Sequence, residues 1–158
     1  MTTAPGEMVS VASEVLGPLP VPRNELITFP QGMFGFPQCS TFALLPTGRE
    51  GTFWLQSADF SALAFLLIDP FLYFPGYYHI DLSSADIARL GTSRPQEILV
   101  LSVVTMPAQQ GGKCTANLQA PVVFNIAKRA AFQSIRSDEG FGIRESFDLD
   151  AFEKERSA

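Results

Sequence analysis

The sequence predicts an all-β fold, mostly antiparallel: a small β-barrel-like domain with one or two short helices. Three observations predict it. Short apolar or alternating runs recur along the chain, Gly and Pro punctuate them, and β-branched residues gather in the longest run. Apolar residues make up 46% of 158 positions and charged ones 17%, which is enough to bury a core and too apolar for a disordered chain. Fourteen Phe against one Trp and three Tyr point to an aromatic interior that asks for few hydrogen-bond partners.

Residues 1–8 are polar, contain Pro5 and Gly6, and read as a flexible N-terminal tail. A single domain is expected over residues 9–149, with an acidic C-terminal tail at 150–158. The first runs, Val9 to Leu16, Glu25 to Phe29, Phe42 to Leu45, Thr52 to Gln56 and Leu63 to Ile68, are expected to be strands. Gly17-Pro18, Pro30-Gln31-Gly32, Pro46-Thr47-Gly48 and Asp69-Pro70 separate them, supplying φ values that a strand interior does not tolerate. Asp69 before Pro70 suits turn initiation, its carboxylate accepting backbone amides. The segment Tyr77 to Asp81 looks like the start of another strand.

A helix is predicted over Ser84 to Leu90, with Ser83 as its cap, Asp86 three positions on, and Ile87 and Leu90 facing the core. Glu97 to Met106 then reads as a central strand ended by Pro107. Residues 108–112 form an expected hairpin loop, returning through Lys113 to Leu118 and, past Pro121, into Val122 to Ile126. A further strand is expected over Ala131 to Arg136. Ile143 to Leu149 alternates imperfectly, leaving open an edge strand there or a closing helix from Asp148 to Lys154.

The chemistry-bearing residues are few. His79 is the single histidine, so neither an HExxH site nor a His-rich metal centre can be built. Gly111-Gly112-Lys113 lacks the phosphate-loop spacing. Asp59 and Asp69 flank one strand run and would lie about 33 Å apart along it, too far for a carboxylate dyad. No catalytic residue, cofactor or metal is expected, and the chain reads as a binding protein. Cys39 and Cys114 lack CxxC spacing and are expected to be buried thiols.

Net charge is −5, and residues 138–158 hold seven acids against three bases. Such a segment repels nucleic-acid phosphates and can steer a basic protein partner; Asp138 and Glu139 open it and are candidate contacts. No run of 18 apolar residues exists, so no membrane-spanning helix is predicted. Glu7 and Glu14 stand where a signal peptide would be basic and apolar, and a cytoplasmic location is expected. Five aromatics fall within Phe71 to Tyr78; this segment is either core or an exposed partner surface, with Phe71, Tyr73 and Tyr77 as the candidate contacts.

Several phrases together resemble the flagellar assembly factor FliW family of bacteria. Ile27-Thr28-Phe29-Pro30-Gln31-Gly32-Met33-Phe34-Gly35-Phe36 is similar to the family's opening pattern, with Phe34 where a Pro is common. Trp54-Leu55-Gln56-Ser57 with Ala64-Phe65 and Asp69-Pro70 resembles a second signature, and Thr115 to Val122 with Asn125 a third, followed by Arg129 and Gln133. The resemblance covers roughly residues 9–147. It implies a β-barrel-like protein, monomeric when free, that binds flagellin and the RNA-binding regulator CsrA. Free protein would relieve CsrA repression of flagellin translation, and accumulated flagellin would occupy it instead. Phe36, Gln56 and Asn117 lie within these phrases and join the candidate contacts, although for Phe36 and Asn117 the structural reading, a shaped loop and a satisfied buried amide bonding the loop before Pro121, is the stronger one. The competing reading is a ligand carrier or enzyme with a barrel-mouth pocket near Gln56, Asp69 and Asn117.

Overall fold

A computed structural model of the chain describes residues 7–107, 113–136 and 140–149. Eleven strands and two short α-helices are formed among them: β1 Met8–Val11, β2 Leu19–Pro22, β3 Ile27–Thr28, β4 Thr41–Pro46, β5 Thr52–Ser57, β6 Ala64–Ile68, α1 Pro70–Tyr73, α2 Ser84–Leu90, β7 Ile98–Thr105, β8 Cys114–Ala116, β9 Val122–Asn125, β10 Ala130–Gln133 and β11 Glu145–Phe147. The sheet runs β7-β6-β5-β4-β3-β10-β9 and closes where β9 returns to β7, giving a seven-stranded barrel. All its pairings are antiparallel except β10 with β3, which meet in parallel at Ala130 and Thr28. The long β7 is shared: its first half pairs with β9, while Val104 and Thr105 pair with β8, which carries β11 on its far side.

Side-chain alternation divides the apolar residues into the barrel interior and two outer clusters. Ile27, Phe29, Phe42, Leu55, Leu67, Leu101, Val122 and Phe124 fill the interior, where Phe29 packs edge-on against Phe42 at 4.8 Å and Phe124 at 6.0 Å. On the opposite pleat Val100, Val104, Val123 and Phe132 are covered by the segment after α1, by α2 and by the β8–β11 pair. The β1–β2 hairpin covers Ala43 on a third side. This double coverage explains why β9 is buried at every position and reads as a continuous apolar run.

Several expected elements are shorter than the sequence suggested. The run from Val9 to Leu16 is a strand only to Val11, and β1 begins at Met8, a residue assigned to the N-terminal tail. Its partner β2, Leu19-Pro20-Val21-Pro22, was not among the expected strands. The ladder tolerates both prolines because its bonds fall on the alternate residues: the Arg23 amide donates to the Glu7 carbonyl at 2.9 Å, and Pro20 and Pro22 face away. Glu25 to Phe29 contributes only Ile27–Thr28 to the sheet, since Arg23–Glu25 forms a 3-10 turn. Lys113 to Leu118 narrows to Cys114–Ala116, and Tyr77 to Asp81 forms no strand. Near the C-terminus an edge strand forms at Glu145–Phe147; the closing helix considered over Asp148 to Lys154 falls largely on residues 150–158, which, like 108–112, lie outside the described residues.

Helix α2 forms as its sequence requires. The Ser83 hydroxyl accepts the Asp86 amide at 3.0 Å, Leu90 is buried and Ile87 half-buried. The Asp86 carboxylate does not complete the capping box: it turns to Arg136, 3.1 Å away, and to the Ser134 hydroxyl. Arg136 also donates to the Asp81 carbonyl. At the other end the Asn125 amide donates to the Leu90 carbonyl at 2.8 Å, so both ends of α2 are tied to the β9–β10 pair. Cys39 and Cys114 are buried free thiols, as expected.

Candidate protein-binding face

The apolar stretch after β6 is both core and surface. Asp69 initiates it as anticipated, its Oδ1 accepting the Phe71 amide at 2.9 Å, and Pro70 supplies the first residue of α1 without wasting an amide. Tyr78 and Phe74 turn inward onto Phe141 and Phe147, at ring separations of 4.9 and 5.7 Å. Tyr73 is half-buried; its hydroxyl donates to the Glu50 carbonyl at 2.8 Å and its ring packs on Phe147 at 5.5 Å. Phe71 and Tyr77 remain 44% and 49% exposed. Each rests on a buried neighbour, Phe71 on Tyr78 at 5.3 Å and Tyr77 edge-on against Phe141 at 5.3 Å. Two large aromatic faces are therefore presented to solvent on a fixed aromatic base.

Beside Phe71 a groove of about 420 Å³ runs toward α2, with Ile80, Leu82, Ile87, Pro95 and Ile98 along it. Its apolar lining and the exposed ring at its rim suit a protein partner. His79, exposed beside Phe141 at 5.2 Å, adds no catalytic arrangement. Among the described residues no three His, Cys, Asp or Glu side chains come together as a metal site, and no helix is long and apolar enough to cross a membrane.

The Tyr77 hydroxyl donates to Glu145 Oε1 at 3.1 Å, and the same oxygen accepts the Gly142 amide at 3.0 Å. Hydrogen bonding to Glu145 pushes the Tyr77 phenol above its ordinary value of 10.0, helped by partial desolvation and by the carboxylate's charge. The folded state thus holds the phenolic proton more tightly than the unfolded chain. This contribution to stability is fully present below pH 10.0 and is lost as pH rises through the higher folded value. Spectrophotometric titration, read as the difference between the protein and Tyr77→Phe, is expected to place the Tyr77 midpoint above 10.0, and Glu145→Gln should bring it back down.

The other sequence candidates are placed apart from this face. Phe36 is half-buried against Phe65 at 5.8 Å and closes a tight turn whose tip is Phe34 and Gly35. Gln133 holds that turn, its Oε1 accepting the Phe34 amide at 3.2 Å while its Nε2 donates to the Ala120 carbonyl at 3.0 Å. Gln56 points outward from the barrel wall beside Ala43 and is fully buried. Its Nε2 donates to the Ser57 and Ser61 carbonyls at 2.9 and 3.3 Å. Asn117 Oδ1 accepts the amides of Gln119 and Ala120 at 3.1 and 3.0 Å, shaping the turn before Pro121. Asp138 and Glu139 lie outside the described residues.

The barrel-mouth pocket proposed from Gln56, Asp69 and Asn117 is not assembled. Gln56 pairs with Ala64 at the start of β6, whereas Asp69 follows its end, about 16 Å along the strand. Asp69 and Asn117 are occupied by their own loops, and Gln56 gives its Nε2 to the 57–61 loop while its buried Oε1 has no partner among the described residues. Asp59, likewise, accepts the amides of Ser40 and Thr41 at 2.8 and 3.0 Å, a structural task far from Asp69.

Comparison with known proteins agrees with this architecture. The FliW protein family profile matches residues 10–147. The flagellar assembly factor FliW of Treponema denticola is 34% identical over 130 residues, covering 82% of this chain and 87% of that protein. Flagellar assembly factor FliW 2 of Desulfotalea psychrophila is 40% identical over 124 residues, covering 78% and 80% respectively. A crystal structure of the flagellar assembly factor FliW superposes with a TM-score of 0.79 at 31% identity, covering 87% of this chain and 96% of that one. The phrases around Phe36, Trp54 and Asn117, the closed barrel and these matches converge, and the chain belongs to the FliW family.

Proposed function

We propose that this protein binds cytoplasmic flagellin and, when free of it, antagonises the translational regulator CsrA, coupling flagellin synthesis to secretion through protein contact alone. In this reading it is a cytoplasmic monomer that touches neither nucleic acid nor membrane and performs no catalysis. The carrying observation is the pair of exposed rings, Phe71 and Tyr77, on an aromatic base beside an apolar groove. Such a surface, mainly apolar with Asp81 at the groove and Glu145 beside Tyr77, suits a partner held by buried apolar contact, and flagellin is assigned to it. A protein that binds RNA carries Lys and Arg on its surface to neutralise phosphates. CsrA is therefore matched to the acidic C-terminal residues, beginning with Asp138 and Glu139.

Calorimetric titration with flagellin and with CsrA from the same organism tests both halves. Submicromolar binding without any cofactor is expected for each. Phe71→Ser with Tyr77→Ser should weaken flagellin binding by about 10- to 100-fold, the usual loss for two central aromatic anchors, and leave CsrA affinity within error. Raising the salt should weaken CsrA more than flagellin. Absence of binding to both partners would end the proposal.

A further inference from the structure

We propose a second docking site, on the other side of α2 from the aromatic face, for a protein segment that carries one bulky apolar side chain beside a carboxylate. A cleft of about 220 Å³ lies between the Pro30-Gln31 turn, the end of α2 and β10, walled by Pro30, Leu90, Ala131 and Phe132. That volume suits one Leu-sized or Phe-sized side chain. Arg89 stands over it, its guanidinium stacked 4.0 Å from the Phe132 ring centre and its Nη2 donating to Gln31 Oε1 at 2.7 Å. Stacking and that single bond fix the plane of the guanidinium, and its remaining donors have no partner among the described residues, so a carboxylate can be received there.

One further cation lies beside the cleft and another is next to it in sequence. Lys128 places its Nζ beside Gly91, directly after Leu90, and Arg129 is the residue before Ala130. Both are exposed, and among the described residues neither they nor Arg89 form an ion pair. The nearby acids are engaged elsewhere: Asp86 with Arg136, and Glu97 with the Thr92 hydroxyl at 2.6 Å. Arg89 over this apolar cleft and Lys128 beside it are thus cations without an acidic partner among the described residues, a charge complement for an acidic segment. Phe34, 52% exposed at the tip of the turn that Gln133 holds, extends the apolar surface along the same edge of β10.

The test uses the full-length isotope-labelled protein and a short synthetic peptide with one leucine between two aspartates. Amide shifts are expected at Gln31 and at residues 89–91 and 128–132, leaving the amides of residues 71–78 unchanged. Replacing the peptide's aspartates by asparagine, or making Arg89→Gln with Lys128→Gln, should weaken binding about fivefold in each case, as for partly exposed pairs. Replacing its leucine by serine should abolish the shifts. Shifts centred on residues 71–78, or an affinity indifferent to the charge changes, would overturn the site. So would tighter binding of a peptide of residues 148–158, which would make the cleft an intramolecular dock. Self-association of the free protein that Arg89→Gln abolishes would equally overturn it, marking a contact between copies.

Discussion

Replacing Arg136 by methionine is expected to cost about 3–5 kcal/mol of folding stability, because it strands a partner charge away from water. Arg136 and Asp86 are only 6% and 14% exposed, and the pair lies where α2 meets the end of β10. Without the guanidinium, Asp86 keeps only the Ser134 hydroxyl and the Asp81 carbonyl loses a donor. A surface ion pair would be worth at most about 1 kcal/mol and would fade in salt. Urea denaturation of Arg136→Met should therefore show a large fall in midpoint at unchanged slope, nearly the same at low and high salt. Adding Asp86→Leu should recover a sizeable part of the loss, since a buried pair replaced whole by apolar groups is close to neutral. A fall below 1 kcal/mol would mean that water reaches the pair.

Gly32→Ala is the second large effect, expected at about 2–4 kcal/mol. Gly32 has φ +67°, and a methyl group there would stand 2.4 Å from the Phe36 carbonyl oxygen and 2.7 Å from Pro37 Cα. Both obstacles are backbone, so the whole turn must open for the substitution to fit. Gly35, three positions on, has φ +85° but open space around it. Gly35→Ala should cost only the left-handed conformational penalty, about 1 kcal/mol. Paired thermal melts of the two variants separate steric contact from backbone preference. Gly32→Ala should also displace Phe34 and weaken the cleft beside it.

The strands of the barrel wall were legible because alternation, β-branching and Gly or Pro breaks act locally. Thr52 to Gln56 and the long run before Pro107 match β5 and β7 closely. The cap at Ser83, the Asp69 turn and the Asn117 turn were also legible, each being set by residues two or three positions apart. What sequence could not show is decided by contacts across the chain. The strand holding Pro20 and Pro22 was missed because local chemistry does not say which amides a ladder leaves free. Asp86 and Arg136 lie 50 positions apart, and Arg89 becomes notable only once Phe132 lies beneath it. The aromatic stretch was ambiguous for the same reason, since inward Tyr78 and outward Tyr77 are adjacent residues of nearly identical chemistry.

Closure of the barrel by the parallel meeting of β10 with β3 has a consequence for how the molecule behaves in a crowd. A closed sheet offers no row of unsatisfied amides on which another chain can template itself. Among the described residues the margins that remain are short: β11 has three residues and β1 four, and the outer side of β2 presents Pro20 and Pro22, which have no hydrogen to give. Strand-by-strand growth, the usual hazard of a β-rich chain at high concentration, has almost nowhere to start. Recognition must then run through side chains rather than main chain, so single substitutions can retune one partner at a time without rebuilding the scaffold.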